Sequence, residues 1–403
     1  MAVALDERGP LRDRRALFTV PDGVVYLDGN SLGALPRSVA PRMQQVVEQE
    51  WGAGLISSWN TADWVGLTRR VASRIAPLVG VGATDLHVGD STSVTLFKTF
   101  VAASRLRPGR RVVVLEPTTF PTDAYVAAGV ARLLDLELRW CDPADPAASL
   151  DDDVAVLALT HVDFRTGAMY DLAALTRAAH DAGALAHWDL CHSTGAVPVA
   201  LEEADADVAV GCTYKYLNGG PGSPAFAWVH PRHQADWDQP ITGWFGHARP
   251  FDMDRDFSAA DGIVKMASGT PQVLALSALD AALEVFDGVS VDVLREQSLS
   301  LTDLFITLVD DRLGATVEVV TPRLHEHRGS QVSLRHDEAY GVVQALIERG
   351  VVGDFRTPDI ARFGFAPMYV THADVYDAVD HLVAVVEGRE YARPAYAVRN
   401  AVT

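Results

Sequence analysis

The sequence predicts an α/β chain: a large domain built on a mostly parallel sheet, followed by a smaller α+β unit. Three observations carry this expectation. Apolar runs of strand length occur at 111–115, 154–160, 184–188, 208–211 and 225–229. They are separated by helix-like stretches such as 172–182, and strands alternating with helices are the pattern of βα units on a parallel sheet. The 403 residues are 48% apolar and 22% charged, long enough to bury a sizeable core, with no fixed-period repeat or low-complexity tract.

Taken in chain order, the first 50 residues are expected to pack with the C-terminal unit. Asp90-Ser91-Thr92-Ser93 opens a helical pattern running to about 104, with Asp90 or Ser91 available as N-cap. A helix start stocked with hydroxyls is a seat for phosphate. The five apolar runs then supply the sheet. A helix is expected from about 270 to 286, with Pro271 in its first turn and Gly288 just past its end. From about 290 the texture changes to a helix, strands at 316–320 and 331–334, a helix at 340–349 and a closing helix from 373. The expected division is therefore 1–50 packing with the small domain, 51–285 as the large domain and 286–403 as the small one.

Acidic residues outnumber basic ones 53 to 34, and the formal charge of −19 opposes a surface for nucleic-acid phosphates or anionic membranes. Small-molecule chemistry is the better reading. Cys141, Cys191 and Cys212 are too few and scattered for a disulfide framework, which fits a reducing compartment. The opening residues mix Asp6, Glu7, Arg8, Arg12 and Asp13 with short apolar pieces, unlike a signal peptide, and no stretch has the length of a membrane span. A cytoplasmic location is expected.

Lysine occurs only at Lys98, Lys215 and Lys265, leaving 31 of the 34 basic residues as arginine. Asp189 ends an apolar run in His187-Trp188-Asp189-Leu190-Cys191-His192, and Lys215 follows another run 26 residues later in Gly211-Cys212-Thr213-Tyr214-Lys215-Tyr216. Open α/β sheets place ligands at such strand ends. A lysine for a Schiff base and an aspartate to keep a pyridine nitrogen protonated are what pyridoxal phosphate requires. Lys98, inside the expected helix, and Lys265, in an expected loop, lack that context and read as surface or helix-flank charges. His325-Glu326-His327 with His336 reads as solvated rather than metal-binding, so no metal is expected. Gly80-Val81-Gly82 lacks the third glycine of a dinucleotide fingerprint, and no Walker-type run appears.

Four further stretches sharpen the reading. Tyr26-Leu27-Asp28-Gly29-Asn30-Ser31-Leu32-Gly33, Phe120-Pro121-Thr122-Asp123, His161-Val162-Asp163-Phe164-Arg165-Thr166-Gly167 and Tyr214-Lys215-Tyr216-Leu217-Asn218-Gly219-Gly220-Pro221-Gly222 resemble, in order and spacing, the motifs of the kynureninase family of bacterial type. The resemblance runs from Tyr26 to the closing helix. It implies the fold type I architecture of pyridoxal-phosphate-dependent transferases and a homodimeric hydrolase that cleaves L-kynurenine into anthranilate and L-alanine, with 3-hydroxy-L-kynurenine as an alternative substrate.

Carried over position by position, the resemblance implies that Lys215 forms the Schiff base and moves protons, with Tyr214 beside it as acid/base group. Asp189 pairs with the pyridine nitrogen, His192 lies beside the ring, Phe120 stacks on it, and Asp123 and Thr160 complete that side. Thr92 and Ser93 bind phosphate, while Trp244 and Thr270 resemble residues reaching the phosphate from the neighbouring subunit. Arg362, in Asp359-Ile360-Ala361-Arg362-Phe363-Gly364, matches the family's substrate-carboxylate arginine, whose planar fork suits that task. Trp64, Gly269 and Thr270 resemble the aryl pocket of the kynurenine-preferring type. Thr95 stands where relatives commonly carry Asn. A desulfurase, which shares the Asp and Lys, needs a cysteine on a late loop, and none follows Cys212.

Overall fold

The computed structural model describes residues 2–399. Seven strands form the large sheet: β1 (Leu86–Val88), β2 (Val112–Leu115), β3 (Glu137–Trp140), β4 (Val154–Thr160), β5 (Leu185–Asp189), β6 (Val208–Gly211) and β7 (Phe226–Val229). Their spatial order is β1-β7-β6-β5-β4-β2-β3. Neighbours from β6 through β3 are parallel, and β7 runs antiparallel to both β6 and β1. The central strands are buried at every position, which is why they read as continuous apolar runs rather than as alternation. Val113, Leu115, Val156 and Val210 face one apolar cluster; Val112, Val114, Leu157 and Trp188 face the other.

Helix α1 (Thr92–Arg105) starts on Ser91, whose hydroxyl accepts from the Val94 N–H. Helix α2 (Pro121–Leu134) begins with proline at a position that needs no donor. Helix α3 (Leu172–Asp181) is capped by Asp171. The helix expected from 270 instead spans Val273–Leu283 (α4), because Gln272 leaves the helical region with ψ 74°; Thr270 and Pro271 stay in the preceding loop. Helix α5 (Val291–Leu313) follows, capped by Ser290.

A second sheet holds β8 (Glu318–Val319), β9 (Gln331–Arg335), β10 (Asp354–Arg356) and β11 (Ile360–Gly364) in the order β8-β9-β11-β10, all antiparallel. Helix α6 (Ala339–Glu348) packs on it, and α7 (His372–Glu387), opening on a Thr371–Asp374 capping box, packs on α5 and α6. The N-terminal segment divides. Val25–Tyr26 pairs in parallel with Val351–Val352, and Asp28 bridges to Gly364, whereas the helix Val39–Gln45 packs on α4. Among the described residues, no helix is long and apolar enough to cross a membrane.

One lysine departs from expectation. Lys98 is not a helix-flank charge but is 1% exposed, because Asp90 Oδ2 at 2.6 Å and the Met266 carbonyl at 2.8 Å replace its water. Lys265 is half-buried in the short helical turn Gly262–Met266 and donates to the carbonyls of Gln234 and Ala235.

Candidate active site

The parallel strands end on one side of the large sheet, and their last residues meet there. Thr160 ends β4 and Asp189 ends β5, directly opposite one another in the ladder. The turn after β6 brings Tyr214 and Lys215 to the same edge, and the starts of α1 and α2 bring Thr92, Ser93, Phe120, Thr122 and Asp123. Together with Phe164, Cys191 and His192 these residues line a single cavity. Nine residues singled out from sequence converge in it: Thr92, Ser93, Phe120, Asp123, Thr160, Asp189, His192, Tyr214 and Lys215.

Lys215 Nζ lies 5.9 Å from the centre of the Phe120 ring and 5.8 Å from that of Tyr214. Asp189 is buried, its Oδ1 accepting from the Cys191 N–H at 2.6 Å. Burial, and then the adjacent Asp189 carboxylate, hold Asp123 well above the usual carboxylate range. The Thr119 and Thr160 hydroxyls share a hydrogen bond of 2.9 Å. Burial, reinforced by Lys215, Arg362 and Arg356, keeps His192 well below its ordinary value, so the imidazole is neutral; its Nδ1 is buried without a partner. Burial and the neighbouring Cys212 and Cys191 thiols push the Tyr214 phenol up.

The close approach of the N-terminal segment to this cavity depends on one glycine. A methyl group on Gly33 would stand 2.2 Å from the Lys215 carbonyl oxygen, and the Gly33 N–H donates to the Tyr214 carbonyl at 2.8 Å.

The remaining expected residues do not line the cavity within one chain. Arg362 is fully buried behind Phe164. Its Nε donates to Asp354 Oδ1 at 2.6 Å, Nη2 to Asp354 Oδ2 and to Ser31 Oγ, and Nη1 to the Phe164 carbonyl. Trp64 donates to Glu50 Oε2 at 2.9 Å and packs edge-on against Trp59. Trp244 is 38% exposed and meets Phe245 and Phe251 edge-to-face. Gly269 and Thr270 border a different cavity of about 690 Å³ with Phe245 and the residues before α1.

Sequence reasoning missed three residues that line the cavity, Thr122, Phe164 and Cys191, and also Glu116, which does not line it but holds the Thr160 backbone. Phe164 stands edge-on to Phe120 with ring centres 5.3 Å apart. Glu116 is 1% exposed and accepts from the Tyr170 hydroxyl at 2.9 Å, Thr118 Oγ1 at 3.3 Å and the Thr160 N–H at 3.3 Å. Burial, with Asp163 nearby, pushes it up to about 7. Glu116 is the residue after β2, and the position after a strand was the available signal. His325, once a metal candidate on spacing, pairs with Asp303 at 2.9 Å.

The donor set fits pyridoxal phosphate: one lysine amine, a buried carboxylate on the strand end, an aromatic face, hydroxyls at a helix start and a buried, unpartnered imidazole nitrogen at the wall. Solved structures share the architecture. A cysteine desulfurase from Thermococcus onnurineus has a TM-score of 0.80 at 17% identity, covering 94% of this chain and 99% of that one. C-DES with glycine covalently linked to its PLP cofactor has a TM-score of 0.81 at 15% identity, covering 92% and 98%. The fold and cavity define a pyridoxal-phosphate-dependent enzyme of fold type I.

Sequence relatives narrow the class. The model of the kynureninase C-terminal domain matches residues 294–382. Kynureninase from Burkholderia mallei is 50% identical over 410 residues, covering 100% of this chain and 99% of that protein. Kynureninase from Pseudomonas fluorescens is 48% identical over 409 residues, covering 100% and 98%. The chain belongs to the kynureninase family.

Proposed function

We propose that the chain hydrolyses L-kynurenine between Cβ and Cγ, releasing anthranilate and L-alanine, with Lys215 as the cofactor lysine. The observation that carries this is the convergence of Lys215, Asp189, Phe120, Thr92 and Ser93 on one cavity in a member of this family. Pyridoxal phosphate, when bound, supplies an electron sink conjugated to the amino-acid nitrogen.

The chain's own residues do the rest. Thr92 and Ser93 would hold the phosphate at the positive end of α1. Phe120 would stack on the cofactor ring, Asp189 would keep its pyridine nitrogen protonated, and the neutral His192 with Asp123 and Thr160 would fix that edge. Burial and the neighbouring Asp189 carboxylate raise the Asp123 carboxyl and favour its neutral form. Lys215 Nζ would take the proton from the substrate Cα and hold it at that face of the cavity. Tyr214, whose phenol stays protonated, handles the proton at the γ-oxygen while water attacks the γ-carbon. Arg362, whose guanidinium lies 6.0 Å from the centre of the Phe164 ring at the cavity wall, would receive the substrate α-carboxylate.

Trp244 and Thr270, remote from Lys215 in one chain, serve the phosphate of the neighbouring subunit in a homodimer. Trp64, Gly269 and Thr270 border the aryl group there and favour kynurenine over its 3-hydroxy form. The N-terminal segment around Val25–Asp28 works with a small domain at 286–403 against the cofactor-binding domain at 51–285, and the enzyme acts in the cytoplasm. The test is a visible spectrum of the purified protein, followed by addition of L-kynurenine with detection of anthranilate fluorescence and alanine. An imine band with anthranilate release, both lost in Lys215→Ala, is the expected result. A band without anthranilate would reject the substrate.

A further inference from the structure

Lys98 is a buried cation outside the chemistry described so far. An ammonium withdrawn from water costs several kcal/mol unless it is paired and hydrogen-bonded. Its two partners belong to different segments. Asp90, at 2.6 Å, sits in the turn just before the Ser91 cap of α1 and has a left-handed backbone, φ 57°, uncommon for a residue with a side chain. The Asp90 carbonyl accepts from the Ala225 N–H at 3.0 Å, tying the turn to the strand β7 side of the sheet.

The other partner is the Met266 carbonyl, at 2.8 Å, which ends the turn Gly262–Met266. Met266 is anchored by burial and by the Trp237 indole, which donates to its sulfur at 3.1 Å. From there the chain runs through Ser268, whose carbonyl accepts from the Phe245 N–H beside Trp244, to Gly269 and Thr270. His87, facing the same ammonium, is pushed down to about 4 by burial and by Lys98, so it adds no second positive charge.

We propose that Lys98 is a positioning residue that locks the turn opening α1 to the loop carrying Gly269 and Thr270. The phosphate seat of one site and the arm offered to the neighbouring site then move as one unit. This rests on the reading of α1 and Thr270 given under Proposed function. A methionine at this position would fill the space yet release both segments.

The test is titration of the apo-dimer with pyridoxal phosphate, read as imine absorption, so the readout is cofactor affinity rather than turnover. Lys98→Met is expected to weaken affinity on the order of tenfold. Asp90→Asn, which keeps a residue tolerated at positive φ, does the same. The double variant Lys98→Met/Asp90→Asn, in which neither charge is left unpaired but the tie to the Met266 carbonyl is still absent, stays as weak as Lys98→Met, and recovery of wild-type affinity in it would overturn the proposal. Combined with Thr270→Ala, Lys98→Met gives less than the sum of the single effects, since the two act through one unit. Wild-type affinity in Lys98→Met or Asp90→Asn, or strict additivity with Thr270→Ala, would overturn the proposal alone. Failure of the wild-type protein to take up the cofactor would overturn the functional reading with it.

Discussion

Gly33 presses against the backbone of Lys215 so closely that any side chain at position 33 would collide with the lysine's carbonyl oxygen, 2.2 Å from where a methyl carbon would stand. The turn that presents the cofactor lysine is thus shaped partly by a residue far away in sequence. Gly33→Ala is expected to displace that turn and destabilise the chain by about 2 kcal/mol, as overpacking does. The denaturation midpoint should fall and the imine band weaken together; an unchanged band would sink the link.

Asp189→Asn keeps an oxygen that can accept from the Cys191 N–H but removes the charge. Turnover should fall at least about a hundredfold with little change in thermal stability, the signature of lost electrostatic stabilisation rather than lost fold. Steady-state rates beside a melting curve check it.

Arg362→Lys substitutes a point charge for a fork whose Nε and Nη2 are held by Asp354. KM for L-kynurenine should rise by about tenfold or more, with a smaller change in kcat, because the loss is in planar recognition of a carboxylate. An unaltered KM would remove Arg362 from substrate binding.

Glu116 gives a pH signature with a definite sign. The folded chain keeps this acid protonated up to about 7, whereas the unfolded chain releases the proton near the ordinary 4.5. Between those values the folded state binds more protons, so stability falls as pH rises through the window and levels off above it. Glu116→Gln lacks this slope. Relative to the variant, the wild type should lose up to about 3 kcal/mol between about pH 4.5 and about pH 7, measured by denaturant titration.

Mixing chains tests the shared site. Lys215→Ala and Trp244→Ala chains, each nearly inactive alone, should regain about a quarter of wild-type activity when reassorted one to one, because half the dimers then carry one intact site. No recovery would place Trp244 outside the neighbour's site.

The fold was largely legible because β4, β5 and β6 are buried on both faces and so appear as unbroken apolar runs. The edge strand β3 and the short β1 escaped notice: β3 is half-exposed and carries Glu137 and Arg139, while β1 is only three residues long. Lys215 and Asp189 were visible through strand-end position and motif. Lys98 was misjudged because nothing local in α1 reveals that Asp90 and Met266, the latter 168 residues on, will solvate its ammonium. Phe164 was quoted within a motif, but its place between Arg362 and the cavity depends on β11, which no local pattern could supply.

The parallel pairing of Val25–Tyr26 with Val351–Val352 has a consequence for how the enzyme is made. The segment bearing Gly33 obtains this anchor only when the ribosome has finished nearly the whole chain. Until then the lysine turn lacks the strap that shapes it, even if the large sheet has already assembled behind it. Lasting capture of the vitamin-derived cofactor is therefore an event of late translation or after release, and a stalled nascent chain ending before Val351 should hold it poorly.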